Sequence, residues 1–380
     1  MDKQMSLSAF SDELSQVRTR KKEFLAQIDR LIPWDEWVAR IKPCYYKGER
    51  GNKPFAPGQH RTIRRTHLAC ANICQIAQKS LGIRQDSLRI FAHFDEIFDG
   101  AICARELCGV ALELMLRIFV LQNLYDLADE KTVAEVIDSR AFSEFCGVDS
   151  SNQVPNGDTL GRFRNLLIQN GIQKLLFTQV VELLERRGLI LKKGTIVDST
   201  IIEAPTSTKN KEKKRDPDAH QVKKGNAWHF GYKAHIGVDR DSGLVHTVKA
   251  TAANVSDVSE TANLLHGEEE TCHGDAGYIG AEKRDDAIVR NNSGKKIKYK
   301  IMRRSGQIRK LSKSGQYQAK KREHKKSSIR VKVEHVFGVV KVLLKFKKTR
   351  YRGLRKQEAK FNIMFALANL ILADRPSLAA

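Results

Sequence analysis

The sequence predicts a two-domain α/β chain, a mainly helical N-terminal region followed by a mixed sheet flanked by helices. Between residues 112 and 184, apolar positions recur in blocks of helical length with polar ends. From Gly194 onward, short β-branched and alternating runs bounded by Gly, Asp and Ser take their place. A chain of 380 residues is long enough to give each region a sizeable core.

The helical blocks are Leu112–Leu124, Thr132–Ile137, Leu160–Ile168 and Leu175–Leu184, which places the N-terminal region at 1–188. The second region, 189–350, begins with Gly194–Ile202, a β-branched run of the kind that forms a buried strand, with Asp198 at its centre. A bare carboxylate there is costly unless it is paired or binds a cation, or unless it faces solvent. The segment Trp228–Val238 alternates, with Phe230, Tyr232, Ala234, Ile236 and Val238 on one face and His229, Lys233 and His235 on the other. That polar face is either an ordinary half-exposed one or one that turns Lys233 and His235 toward a ligand. A turn at Asp239–Gly243 and a strand over Leu244–Ala250 complete a hairpin. In Asn254–Glu260, Asp and Glu three residues apart precede apolar residues, so Asp257 reads as a helix cap rather than a second site acid. A later strand stops at Asp275, which has Gly274 before it and Gly277 two residues on, so that backbone or ligand can approach it closely. A turn is the plainer reading of the same residues. The C-terminal stretch, 351–380, is read as a helix packed on the second region.

The stretch Arg330–Lys341 reads as a helix with an acid between two cations. At 100° per residue, Arg330 and Lys341 fall within about 40° of Glu334, while Val333, Phe337, Val340 and Leu344 form a stripe roughly 90° away that suits a core. Alone, Arg330 and Glu334 could be a surface ion pair contributing a few tenths of a kcal/mol, on the order expected for i, i+4 neighbours. With Asp198 and Asp275, however, they make three carboxylates on separate elements. That is what a Mg²⁺ site for phosphodiester chemistry needs, since Mg²⁺ takes one or two carboxylates and leaves the rest of its shell to water and phosphate. Zinc does not fit the sequence: there is no Cys-x-x-Cys pair, and Cys70 and Cys74 have no second ligand pair at a suitable spacing.

Charge points to a polyanion. The net charge is +23 and the pI about 9.7. Residues 290–326 hold 15 Lys and Arg against a single acid, Glu323, with no apolar period, which predicts a flexible basic arm. Arg303, Arg304, Lys320, Lys321 and Arg322 of this arm, and Lys213, Lys214 and Arg215 of a second basic stretch over 209–224, are candidate phosphate contacts.

With Asp198-Ser-Thr, Gly274-Asp275-Ala-Gly-Tyr278 and the spaced Arg330, Glu334 and Lys341 in view, the chain resembles the DDE transposases of bacterial insertion sequences, specifically the insertion sequence 5 family. The resemblance implies an RNase H-like catalytic domain, Asp198, Asp275 and Glu334 as catalytic and metal-binding triad, and Mg²⁺, with Mn²⁺ as an alternative. The family signature has Tyr three positions before the Arg, where this chain has Ser327, which touches a peripheral contact rather than the triad. The resemblance also implies DNA as partner, both element terminal inverted repeats and target DNA, and a homodimer, because two ends must be bound. On that reading the N-terminal helices serve DNA-end recognition and dimer contacts, while Arg330 and Lys341 position phosphate or the neighbouring strand. Residues from about 56 to 111 are an atypical insertion relative to the family, and deleting 57–110 is expected to preserve soluble expression and DNA binding.

The polar start Met1-Asp-Lys-Gln-Met-Ser and the charges Glu113 and Arg117 in the most apolar run predict neither signal peptide nor membrane span. Seven cysteines without framework spacing fit a reducing cytoplasm, and DNA as substrate implies a nucleoid-associated protein with no small-molecule substrate. Two other readings stand beside the transposase: an RNase H-like nuclease or resolvase without strand transfer, and a catalytically inactive DNA-binding relic.

Overall fold

The computed structural model describes residues 19–45, 110–209 and 213–374. Most of the 56–111 insertion, four of the cysteines and the start of the chain lie outside these residues. Two compact units divide between Leu166 and Leu167, with Asn123–Asp126 joining the second.

The first unit is helical: α1 (Arg20–Leu31), α2 (Trp34–Ile41), most of α3 (Leu112–Leu124), α4 (Asp129–Asp138), α5 (Arg140–Cys146) and most of α6 (Gly157–Gln169). Thr19 caps α1 through its hydroxyl, which accepts from the Lys22 amide, and Gly147 ends α5 in the left-handed region that glycine adopts without strain. Arg117, inside the most apolar helix, is fully engaged rather than exposed. It donates to Asp29 at 2.6 Å, to Glu113 at 2.9 Å and to the Phe145 carbonyl at 3.0 Å, and its guanidinium stacks 4.4 Å from the Trp34 ring.

The second unit holds a six-stranded mixed sheet in the order β2-β3-β1-β5-β6, with β4 paired to β3. The strands are β1 (Gly194–Glu203), β2 (His220–Lys224), β3 (Ala227–Asp239), β4 (Val245–Ala252), β5 (Thr271–Gly274) and β6 (Lys298–Ile301). β3 is long enough for β2 to pair with its first half and β4 with its second along one edge, while β1 pairs antiparallel along the other. β5 runs parallel to both β1 and β6. Helix α7 (Ile172–Arg186) belongs to this unit, so the second domain starts before 189. Its apolar face, with Leu176, Phe177, Val180 and Leu184, packs along α10 (Leu354–Ala373), which is buried over almost its whole length. The expected C-terminal helix is therefore a core element of the sheet unit, and Asn369 ties it to β4 by accepting from and donating to the Val245 backbone at 2.8 and 2.7 Å.

The basic arm expected over 290–326 is ordered. It comprises β6, α8 (Ser305–Arg309) and the first half of α9 (Lys313–Gly338), a 26-residue helix capped by Ser312. Its lone acid explains this. Glu323 is buried, accepts from the Arg303 amide at 3.1 Å, and pairs with Lys326 at 2.9 Å, whose ammonium also donates to the Ile301 carbonyl at 2.7 Å. One acid with fixed donors anchors a helix that has almost no apolar period of its own. α9 ends in a π-helical turn, Val339–Leu343. Val333, Val340 and Leu344 are buried as the stripe predicts, Val336 joins them, and Phe337 is half-buried. Among the described residues no helix is long and apolar enough to cross a membrane.

Candidate carboxylate site at the fork between β1 and β5

The sheet topology explains why two distant acids meet. β1 and β5 are neighbouring parallel strands whose last paired residues are Ile196 and His273. Asp198, midway along β1, and Asp275, just past the end of β5, each lie two residues further on, where the two strands part. Open α/β sheets place ligand crevices at such ends, and paired strands lie about 4.8 Å apart.

Each acid is held differently. Asp198, its side chain 14% exposed, accepts from the Ser199 amide at 2.8 Å through Oδ1 and from Arg330 at 2.8 Å through Oδ2. Burial raises its pKa above the ordinary carboxylate value, Arg330 and the Ser199 amide pull it down, and nearby Asp275 pushes it up again. Asp275 caps a short turn, accepting from the Gly277 amide at 2.8 Å. The glycines serve different needs. A Cβ on Gly274 would come 3.1 Å from the Tyr278 side chain, which folds back into the core beneath the turn, and a Cβ on Gly277 would meet the Asp275 carboxylate at 2.9 Å. Tyr278 packs with Val197, Leu264, Cys272 and Ile297, so the turn bearing Asp275 is anchored by its own aromatic residue.

Glu334 is exposed on α9 one turn after Arg330. Burial alone would lower the pKa of the Arg330 guanidinium, but Asp198, Asp275 and Glu334 together raise it. The guanidinium therefore lies in the field of all three acids, and its Nε is buried with no hydrogen-bond partner. Lys341 does not reach the acids. Its ammonium donates to the Ile201 carbonyl of β1 at 3.0 Å, and burial, with Lys224 and Lys347 nearby, lowers its pKa. α9 and its π turn thus grip β1 at two points, Asp198 and Ile201.

Hard carboxylate oxygens suit Mg²⁺ or Mn²⁺, and the Arg330 Nε beside them is a buried donor with no partner within the protein. Among the described residues no group of three or more His, Cys, Asp or Glu side chains is placed to hold a metal ion, so Glu334 is not brought together with Asp198 and Asp275 as a metal-binding triad. The carboxylate oxygens of Asp198 and Asp275 are nonetheless the donor type that Mg²⁺ takes, one or two per ion, with water and substrate phosphate filling the rest of the shell.

Two expected DNA contacts are corrected. Lys233 is 7% exposed and His235 is fully buried, because both faces of β3 are covered. Lys233 pairs with Asp257 at 3.0 Å and donates to the Val255 carbonyl at 2.7 Å, and His235 bonds the Thr251 hydroxyl at 2.8 Å. Asp257 is likewise not a helix cap. Ser256 holds that position before a short 3-10 turn, and the Asp257 carboxylate accepts from the Ser199 hydroxyl at 2.7 Å. Nothing local signals this, because Ser199 lies 58 residues away. Lys213, Lys214, Arg215, Arg303, Arg304, Lys320, Lys321 and Arg322 are all exposed, with Arg215 donating to the Thr206 carbonyl and stacking 5.7 Å from the Phe230 ring. Ser327, at the signature's Tyr position, is half-buried on α9.

Residues 191–370 match the family model of the transposase DDE domain. Over that region the chain is similar to a DDE transposase domain. Its mixed sheet flanked by helices is the RNase H-like fold of that domain, and the match spans β1 through nearly all of α10. Residues 84–166 match a second model, Transposase domain (DUF772), which begins inside the 56–111 stretch and covers α3 to most of α6. Together the two matches indicate a DDE-type transposase. No solved structure matches the chain.

Proposed function

We propose that this DDE transposase belongs to the insertion sequence 5 group, binds the terminal inverted repeats of its element, and performs divalent-metal-dependent cleavage followed by 3′-hydroxyl transfer into target DNA. The observation that carries the reading is the meeting of Asp198 and Asp275 at the β1/β5 fork, with both acids and Glu334 acting on one guanidinium.

Asp198, Asp275 and Glu334 would hold Mg²⁺, or Mn²⁺ in its place. When bound, the metal supplies Lewis-acid activation of the attacking oxygen and stabilisation of the leaving one in an in-line displacement. The protein's own contribution is placement. Asp198 projects from β1 and Asp275 from the turn after β5, and Arg330 offsets part of the penalty that burial puts on the Asp198 charge. Arg330, whose Nε has no partner within the protein, would be the residue to donate to a phosphate of the bound strand. The exposed cations at 303–304, 320–322 and 213–215 bind backbone phosphate without reading sequence. Binding two ends calls for a homodimer, with the helical unit taking part in end recognition.

The test is Mg²⁺-dependent cleavage and joining of duplexes carrying the element's ends, wild type beside Glu334→Gln. Joined product from wild type alone supports the reading. Cleavage without joining would make the chain a nuclease or resolvase, and tight binding without cleavage in either protein would make it an inactive DNA-binding relic.

A further inference from the structure

Asp257 lies at the junction of the two elements that carry the site acids. Side chains alternate along β1, so Asp198 points to the face where Arg330 approaches and Ser199 to the opposite one. On that opposite face Ser199 sits directly across from His235, and Ile201 across from Lys233. Asp257 Oδ1 gathers these groups, accepting from the Ser199 hydroxyl at 2.7 Å and from Lys233 at 3.0 Å, with His235 Nδ1 at 3.8 Å. Its turn, Asp257–Glu260, packs against the turn Ala276–Tyr278 that follows Asp275. A Cβ on Gly277 would lie 3.8 Å from Asp257 Oδ2 and 2.9 Å from Asp275 Oδ1, so the two carboxylates approach a common point.

We propose that Asp257 is a positioning residue for the carboxylate site, fixing the spacing of Asp198 and Asp275 by bonding the residue after the one and bracing the turn that bears the other. The inference rests on the metal-binding reading of that site. Lys233 is part of the device: a buried ammonium needs a counter-charge, and Asp257 supplies it while Val255 takes a second proton of the same group. β1, β3 and the Asp257 turn are thereby tied through one carboxylate oxygen, and the turn bearing Asp275 packs against them. β1 and β5 share no ladder hydrogen bonds beyond Ile196 and His273, so this tie does across the fork what backbone pairing does below it.

Two variants separate positioning from bulk stability. Ser199→Ala removes the link to β1 and leaves the Asp257–Lys233 pair in place, while Asp257→Asn keeps an acceptor but weakens every bond to it. For each, Mn²⁺ is titrated into the full chain mixed with an element-end duplex and followed by electron paramagnetic resonance. The Mn²⁺ concentration for half-maximal cleavage and the melting temperature of the metal-free protein are measured alongside. Both variants are expected to bind Mn²⁺ about 10-fold more weakly and to need about 10-fold more of it for cleavage, the scale of lost support behind metal ligands. Metal-free Ser199→Ala should melt close to wild type. Variants that melt lower but keep wild-type Mn²⁺ affinity and requirement would overturn the inference and make Asp257 purely structural. Wild type that binds no Mn²⁺ would instead overturn the functional reading, and the inference with it.

Discussion

Buried acids lie at both ends of the β1/β5 pairing, and the two ends are satisfied in different ways. At the amino end of β1 and β5, Glu269 has no exposure and accepts from the Thr195 hydroxyl at 2.9 Å and from the His266 and Gly267 amides at 2.7 and 2.8 Å. All of these donors are fixed by backbone or core. At the other end, Asp198 has one fixed donor, the Ser199 amide, and owes its charge pairing to one long side chain, Arg330 of α9; it is raised in pKa by burial and by Asp275, and shares its cation with an exposed Glu334. A carboxylate saturated by immobile donors holds the fold together. One neutralised by a side chain that can swing away is poised to exchange its partner for a ligand.

The largest effect should come at the carboxyl end. Asp198→Asn and Glu334→Gln are each expected to take metal-dependent cleavage below detection in a gel assay. Glu334→Gln should leave the unfolding free energy within about 0.5 kcal/mol of wild type, since the residue is exposed. If either variant cleaves at the wild-type rate, the comparison fails at once.

Glu269→Gln should do the reverse. It replaces a charged acceptor by an amide among donors, and a loss of about 3 kcal/mol in urea unfolding is expected, with no change in the metal requirement of the surviving activity. A shifted metal requirement would show that the two ends are not separate.

Acidity sharpens the picture for the strand between them. Burial pushes His235 down to about 4, below its unfolded value of about 6.5. The fold therefore holds it neutral, and its contribution is complete above the unfolded value and lost as pH falls toward the folded one. Moving from pH 7 to pH 5 should remove about 2 kcal/mol through this residue. Urea midpoints at the two pH values measure it, and His235→Gln should reduce the dependence by about that amount, leaving the part carried by His246 and His273, whose pKa values burial also lowers. A slope unchanged in that variant would mean that other groups carry it.

The smallest effect is expected among the cations. Lys321 is exposed where Lys233 is buried and paired. Lys321→Ala should reduce the slope of log affinity against log salt by about 0.9, one phosphate's worth, in filter binding to DNA. An unaltered slope would remove this part of α9 from the interface.

How far the sequence reveals such a site depends on the range of the forces that build it. β1, the β3–β4 hairpin and the stop at Asp275 follow from local β-propensity, alternation and glycine placement, and their boundaries agree closely with the structure. The stripe Val333, Val340 and Leu344 is equally local. The order of 290–326 is not, because Glu323 bonds a residue 20 positions upstream and its partner Lys326 one 25 positions upstream. Alternation along β3 separates two faces correctly but cannot tell that both are covered, so Lys233 and His235 look available in the sequence and are not. Asp257 is the sharpest case. Its spacing to Glu260 is that of a cap, and only the tertiary approach of Ser199 and Lys233 gives it another role.

The most direct test of the distinction between the two ends is Mn²⁺ binding to the chain with element-end DNA, compared across wild type, Asp198→Asn and Glu269→Gln. The account predicts tight binding by wild type and Glu269→Gln and its loss in Asp198→Asn; equal binding by all three, or loss in Glu269→Gln alone, would contradict it.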